Sequence, residues 1–177
     1  MAERSAGRAT PLPVLLIEYV NEQGFVQAYG DILSNGGPAY RTILEHLARV
    51  DPEPCIVHCT AGKDRTGVLV ALLYLLCGVR PATVAEEYSL TDLGLRHLKG
   101  LFTERLLRNA ALAGNEEGVR NMIGSNGENM RATIEMIESR YGGAEGYVLG
   151  TVGLSRGELD RLRENLVVRV APVLPAL

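Results

Sequence analysis

The sequence predicts a helix-rich α/β domain with a small and incomplete parallel sheet. Apolar residues recur at helical spacing along most of the chain, whereas only two short stretches, 13–20 and 55–58, have the character of buried strands. A sheet of two strands is marginal without further partners. The chain has 177 residues and 46% hydrophobic content, which is enough for one core. We therefore expect a single domain over residues 1–170 and a loose tail over 171–177.

The first half of the chain is expected to contain three helices. Residues 25–33 are weakly helical, and the turn-forming residues Gly36–Pro38 predict a break and the start of a second helix over 39–50. One face of that helix is apolar and comprises Tyr40, Ile43, Leu44 and Leu47. Residues 66–77 are apolar nearly all round, which predicts a central helix that ends at Gly78.

The second half of the chain is also predicted to be helical. Pro81 opens a helix that extends to about residue 90. A further helix has an apolar stripe made of Leu95, Leu98, Phe102 and Leu106. Ser125 and Ser155 each stand three residues before a glutamate, which is the spacing of a capping box, and they predict two more helix starts. We expect the apolar stripes to contact the core and not a lipid surface.

Composition excludes several classes of function. The net charge of −3, with no basic stripe or interleaved aromatic residues, argues against nucleic acid as a partner. The longest apolar run, 68–79, is too short for an integral membrane segment, and residues 13–17 are too short for the core of a signal peptide. Three cysteines do not form a disulfide framework, so a reducing, cytoplasmic location is expected. Cys55 and Cys77 are predicted to be buried, the alternative being a protective disulfide with Cys59.

The loop His58–Gly67 carries the chemistry. It places Cys59 six positions before Arg65, between an apolar strand and an apolar helix. The start of a helix offers unpaired N–H groups, and beside a cation it lowers the pKa of a cysteine to roughly 3.5–7.5. The amides of the segment Thr60, Ala61, Gly62, Lys63, Asp64 and Arg65 can surround a phosphoryl group, and the guanidinium of Arg65 adds a planar pair of donors.

The implied reaction has two steps and needs no metal or cofactor. Cys59 attacks phosphorus to form a phosphocysteine, which water then hydrolyses. The Thr66 hydroxyl is placed to stabilise the sulfur as it leaves, and His58 is expected to orient the cysteine as a scaffold. An NTP-binding Walker loop is excluded because Val57 and Asp64 stand where that motif needs glycine and serine or threonine. The cysteine and histidine spacing does not suit zinc.

The pattern His-Cys, five residues, Arg-Thr-Gly over His58–Gly67 resembles the signature loop of the cysteine-dependent protein tyrosine phosphatases. Lys63 and Asp64 inside it are similar to the bacterial and fungal tyrosine/serine phosphatase subgroup, as are residues 87–91 and 141–147. The resemblance extends over roughly residues 25 to 168. It implies a phosphatase-like fold and the hydrolysis of phosphotyrosine proteins, phosphoserine proteins or phosphoinositides.

That subgroup usually carries an additional N-terminal region that supplies strands of the sheet, and nothing in this sequence resembles it. Three explanations remain open: a truncated form, a homo-oligomer that completes the sheet, or a more helical fold. An alternative function follows, in which the chain is a catalytically impaired phosphate-binding module or a truncated pseudo-phosphatase. A structural fragment that binds no phosphate is a third, weaker alternative.

The general acid is left open between two aspartates. The chain contains no tryptophan, so the upstream Trp-Pro-Asp form of the acid is absent. Asp64 lies within the loop, where its alternative role is to stabilise the loop. Asp31 lies 28 residues before Cys59, where its alternative role is that of an exposed helix carboxylate. Lys63 is expected at the mouth of the pocket, either solvated or binding an extra phosphate, as in related enzymes that act on phosphoinositides. No glutamine follows Cys59, so hydrolysis of the intermediate must use another group.

Overall fold

A computed structural model describes residues 22–168 of the chain. Within that range there are nine α-helices and one π-helical turn. They are α1 (Glu22–Leu47), α2 (Asp64–Leu76), α3 (Pro81–Ser89), α4 (Thr91–Gly94), α5 (Lys99–Leu107), α6 (Glu116–Ile123), α7 (Gly127–Tyr141), α8 (Gly143–Tyr147), the π-helical turn (Val148–Val152) and α9 (Arg156–Leu166). The helix-rich character predicted from the sequence is confirmed.

The predicted break at Gly36–Pro38 is wrong, because α1 continues through Pro38 for 26 residues. A proline inside a helix costs about 3 kcal/mol. Four large side chains offset that cost along one face of the helix, where they are all buried: Tyr29, Leu33, Tyr40 and Leu44. Burial of one large apolar side chain contributes about 1.5–3 kcal/mol, so the four together outweigh the local penalty.

Helix α2 is central, as its sequence predicts. Val68, Leu69 and Leu72 on α2 are all buried, and the helix packs against α1, α3 and α8. It begins two residues earlier than expected, at Asp64. It ends where predicted, because Gly78 has a φ of +82°, a left-handed conformation that disfavours a residue with a side chain.

Most of the helices predicted for the second half of the chain are confirmed, but one predicted helix cap is wrong. Ser155 and Glu158 form the predicted capping box at the start of α9. At α7, however, the cap is Asn126, whose side chain accepts the N–H of Glu128. The predicted cap, Ser125, is buried instead, and its N–H donates to the carboxylate of Asp92 at 2.8 Å. The predicted stripe on and before α5 is only half-buried at Leu95, Leu98, Phe102 and Leu106.

No strand occurs within residues 22–168, so the predicted sheet is not confirmed there. The segment 55–58, predicted to be a buried strand, is irregular, and Ile56 is 91% exposed. Cys55, predicted to be buried, is also exposed, whereas Val57 packs against the core. A four-residue apolar run needs a partner strand to satisfy its backbone, and the described residues supply none. The predicted strand over 13–20 and the tail over 171–177 lie outside the described residues.

Candidate active site

The loop after Cys59 wraps around the start of α2. Its sharpest turn is at Gly62, which has a φ of +69°, in the left-handed region where glycine pays no steric penalty. The helix begins two residues later at Asp64. The backbone amides of Ala61, Gly62 and Thr66 consequently point at the sulfur of Cys59.

The thiol of Cys59 is acidic. Partial burial opposes its ionisation, but hydrogen bonds from Thr66 and from the amides of Ala61 and Gly62 outweigh burial and lower its pKa to about 7. The Thr66 hydroxyl is buried and has no other hydrogen-bond partner at close distance among the described residues. It is therefore left to turn towards the sulfur. At neutral pH a large fraction of Cys59 is thiolate, the reactive form.

Arg65 is held at its backbone and reaches across the loop with its side chain. The hydroxyl of Tyr40, on α1, donates to the carbonyl of Arg65 at 3.0 Å. The guanidinium donates from Nη2 to Oγ1 of Thr60 at 3.0 Å. Arg65 is an exposed residue, and the other donors of its guanidinium are available for an anion.

A cavity of about 520 Å³ opens in front of the sulfur. Four predicted site residues of the loop line it: His58, Cys59, Arg65 and Thr66. Asp31, the upstream aspartate on α1, lines the same cavity. Its remaining walls are mainly apolar and include Ile32, Ile43, Val57 and Leu69. One carboxylate, one guanidinium and one acidic thiol therefore share a single apolar-walled space.

Lys63 and Asp64 lie on the other side of the loop, away from that cavity. Lys63 is only 4% exposed and does not stand at the mouth, where the sequence led us to expect it. Its ammonium lies 2.5 Å from Oδ1 of Asp64 and 5.3 Å from the centre of the Phe25 ring. Burial of an ammonium requires a compensating charge, and the adjacent carboxylate supplies it, with a cation–π contact in addition. Asp64 also accepts a 2.7 Å hydrogen bond from Tyr29.

His58 is exposed, and its ring contacts the backbone of the loop. Its Nδ1 lies 3.2 Å from the carbonyl oxygen of Cys59. The ring therefore contacts the residue that it is predicted to orient, and its function as a scaffold stays a prediction. The three cysteines are free thiols. Cys77 caps the far end of α2, about 20 Å from the start of that helix, so a disulfide with Cys59 is out of reach.

Sequence reasoning missed the contacts that three tyrosines make with the loop. Tyr29 and Tyr88 contact it from behind, whereas Tyr40 lines the cavity in front of Cys59. Tyr29 and Tyr40 are 11 residues apart, which is three turns of α1, and both point to the same face. Tyr88, on α3, lies within the stretch 87–91 that resembles the phosphatases. The spacing of the first two was a usable signal, but the predicted break at residues 36–38 concealed it.

A family profile and two similar proteins identify the same family. The profile of the tyrosine phosphatase family matches residues 16–168. A tyrosine-protein phosphatase of Nostoc commune is 33% identical over 144 residues, which cover 79% of this chain and 48% of that protein. The triple specificity protein phosphatase PtpB of Mycobacterium tuberculosis is 27% identical over 122 residues, covering 64% of this chain and 44% of that protein.

The chain thus spans about half the length of each of these relatives. No helix within residues 22–168 is both long and apolar enough to cross a membrane. The match to the family profile covers most of the chain, including the whole of the loop that surrounds Cys59. The chain therefore belongs to the tyrosine phosphatase family.

Proposed function

We propose that this phosphatase hydrolyses phosphomonoesters through a phosphocysteine formed on Cys59. The observation that carries the proposal is the lowered pKa of that thiol, about 7, in a cavity that also contains Arg65. A thiolate beside free guanidinium donors and converging amides suits a tetrahedral phosphoryl anion. No metal or cofactor is required in this scheme.

In the first step the sulfur of Cys59 attacks phosphorus in line with the ester oxygen. The S–P bond forms as the P–O ester bond breaks, and the leaving oxygen takes a proton from a general acid. The loop amides and Arg65 hold the equatorial oxygens throughout. The products of the step are the free alcohol or phenol and the phosphocysteine.

We propose Asp31 as the general acid in preference to Asp64. Support comes from their surroundings: Asp31 lines the cavity in front of Cys59, whereas Oδ1 of Asp64 faces Lys63 and Tyr29 on the other side of the loop. Asp64 does not line that cavity, so its carboxyl is not placed to protonate a leaving group bound there. Asp64 then has the loop-stabilising function that was the alternative for it.

In the second step water attacks phosphorus and the S–P bond breaks. The carboxylate of Asp31, now deprotonated, accepts the proton of the water, so that inorganic phosphate and the thiolate are released. The buried hydroxyl of Thr66 stabilises the departing sulfur. In this scheme Asp31 activates the water, so the glutamine that the chain lacks after Cys59 is not needed.

For the substrate we propose phosphotyrosine proteins first. The apolar walls formed by Ile32, Ile43 and Leu69 suit an aromatic ring. The two relatives are named as a tyrosine-protein phosphatase and a triple specificity phosphatase, so phosphoserine proteins and phosphoinositides are the natural comparison. Burial of Lys63 removes the second cation on which the phosphoinositide expectation rested. The free thiols favour action in the cytoplasm.

The test is hydrolysis of an aryl phosphate by the purified protein in the presence of a metal chelator. We expect phosphate release that vanadate inhibits and that Cys59→Ser abolishes. Full activity in the serine variant would overturn the mechanism. Stabilisation by phosphate or tungstate in a thermal shift assay, without turnover on phosphotyrosine, phosphoserine or phosphoinositide substrates, would instead identify a phosphate-binding module.

A second experiment separates the two aspartates. Loss of a general acid slows substrates with poor leaving groups far more than those with good ones, because only the poor leaving group needs the proton. We expect Asp31→Asn to show this dependence on the leaving group and to lose the limb of the pH profile that reports the acid. Asp64→Asn should slow all substrates equally. The reverse result would assign the acid to Asp64.

A further inference from the structure

Two buried tyrosines from different helices meet behind the loop. The hydroxyl of Tyr29, on α1, donates to Oδ1 of Asp64 at 2.7 Å. The hydroxyls of Tyr29 and Tyr88, the latter on α3, are 2.5 Å apart. Tyr29 is 0% exposed and Tyr88 4% exposed. Neither lines the cavity in front of Cys59, so the pair does not face a substrate there.

The donor and the acceptor in each hydrogen bond of this pair are determined. A hydroxyl has one proton, and the proton of Tyr29 is given to the carboxylate of Asp64. The oxygen of Tyr29 must then accept from Tyr88. The bonds run in series from Tyr88 to Tyr29 to Asp64. Burial, with the nearby charge of Asp64, raises the pKa of both tyrosines far above its ordinary value, so both stay protonated at any working pH.

The pair contacts the start of α2 at two residues, Asp64 and Gly67. Asp64 neutralises the buried ammonium of Lys63 and is adjacent to Arg65 in the chain. The ring of Tyr88 also lies against Gly67, where a Cβ would come within 3.0 Å of it. The loop is therefore held from behind at Asp64 through a hydroxyl and at Gly67 through a ring, while its front faces the cavity.

We propose that Tyr29 and Tyr88 are positioning residues of this site, which set the arrangement of the loop amides and of Arg65 through Asp64. The inference rests on the proposed function for its effect on turnover. Its effect on the Cys59 thiol does not depend on that function. The amides that lower the pKa of Cys59 belong to residues 61, 62 and 66, on either side of Asp64. A loop that loses its anchor should hold them less well.

The test is Tyr29→Phe, which retains the ring and removes the hydroxyl. A displacement of about 1 Å in a catalytic group can cost on the order of 10²-fold. We expect kcat to fall about 10- to 100-fold with KM little changed, because the cavity walls are intact. The pH at which Cys59 becomes reactive to iodoacetate should also rise. Tyr88→Phe should have the same effects to a smaller extent, because it lies one bond further from Asp64.

The matched control is Tyr147→Phe. Tyr147 is also fully buried, and its hydroxyl donates to the carbonyl of Leu33 at 2.7 Å, away from the loop. This variant loses a buried tyrosine hydrogen bond of the same kind. We expect it to lower the melting temperature while leaving kcat and the alkylation profile of Cys59 unchanged. A merely structural function of Tyr29 would give the same pattern as this control.

The double variant Tyr29→Phe with Tyr88→Phe tests the serial arrangement. If the bonds run in series, its kcat should equal that of Tyr29→Phe alone, because the link to Asp64 is already lost. Wild-type kcat and an unshifted alkylation profile in folded Tyr29→Phe would overturn the inference. If Tyr29→Phe does not fold, Tyr88→Phe carries the same comparison.

The two proposals fail in different ways. If the wild-type protein hydrolyses no phosphomonoester, the proposed function fails, while the alkylation profiles of the variants still decide whether the tyrosine pair positions the loop. If the wild type is active and the variants match it in kcat and in the alkylation profile, the positioning inference alone fails.

Discussion

The two flanks of the Cys59 loop differ sharply. The flank that follows the cysteine, residues 63–67, leads into the buried helix α2 and is fastened by side chains from α1 and α3. The flank that precedes it, residues 54–58, is irregular, and its largest apolar side chain, Ile56, is 91% exposed. Only Val57 of that flank packs against the core.

The difference shows where the geometry of the site comes from. The hydrogen bonds that most lower the pKa of Cys59 come from residues 61, 62 and 66, and Arg65 belongs to the same segment. We therefore expect the helix start, with the two tyrosines behind it, to arrange the proposed phosphate site. The preceding flank contributes His58, whose ring contacts only the carbonyl of Cys59 among its described hydrogen bonds.

The largest effect should come from Arg65→Lys compared with His58→Gln. Lysine keeps the charge of Arg65 but loses its planar pair of donors. Removing one preorganised donor typically costs about 10²- to 10³-fold, so we expect a loss of that size in kcat/KM on an aryl phosphate. His58→Gln should cost less than about tenfold, a loss below that of one preorganised donor. Equal losses in the two variants would contradict the contrast between the flanks.

The next effect is on stability and compares Leu69→Ala with Ile56→Ala. Leu69, on α2, is 1% exposed, and truncation of a buried leucine typically costs about 2–5 kcal/mol. Ile56 is exposed, so its truncation should change the free energy of unfolding by less than about 0.5 kcal/mol. Chemical denaturation measures both. A large loss at Ile56 would mean that another part of the protein covers this flank in solution.

The lowered pKa of Cys59 could be predicted from the sequence because its causes are local. The cysteine, the amides, the arginine and the helix start lie within ten consecutive residues, and the backbone preferences of glycine and of a helix N-terminus determine their arrangement. The central helix α2 could also be predicted from the sequence, because its apolar character does not depend on what packs against it. The capping box at Ser155 is local in the same sense.

What could not be predicted depends on partners distant in the sequence. Burial of Lys63 requires the ring of Phe25, and the hydrogen bonds of Asp64 require Tyr29, from a helix more than thirty residues earlier. The continuity of α1 through Pro38 has the same origin, since local turn preferences were outweighed by tertiary burial. The strand predicted at 55–58 needed a partner strand, which the described residues do not provide.

A smaller effect tests how tightly the following flank is packed. In Gly67→Ala the new Cβ would stand 3.0 Å from the ring of Tyr88, so the ring or the helix must shift. We expect a loss of about 1–3 kcal/mol in the free energy of unfolding. The matched control is Gly100→Ala, in α5, where a Cβ meets open space. There alanine should stabilise the protein by about 0.4–1 kcal/mol. A neutral Gly67→Ala would show that the contact with Tyr88 is loose.

The smallest effect concerns pH. Because the pKa of Cys59 is about 7 in the folded protein, its alkylation rate should rise with pH, with an inflection near 7. In the unfolded chain the same thiol has a pKa near its ordinary value of about 8.5. Between these two values the unfolded chain binds more protons than the folded one, so stability should increase with pH across that window and level off above it.

Thr66→Val sharpens this last measurement. Valine keeps the shape of the side chain and removes the hydroxyl that stabilises the thiolate, so the inflection for alkylation should move upward from 7 and the pH dependence of stability should weaken. Serine at position 66 retains a hydroxyl and should keep the wild-type profile. An unchanged inflection in Thr66→Val would leave the backbone amides as the source of the acidity, and the following flank would then act through its main chain alone.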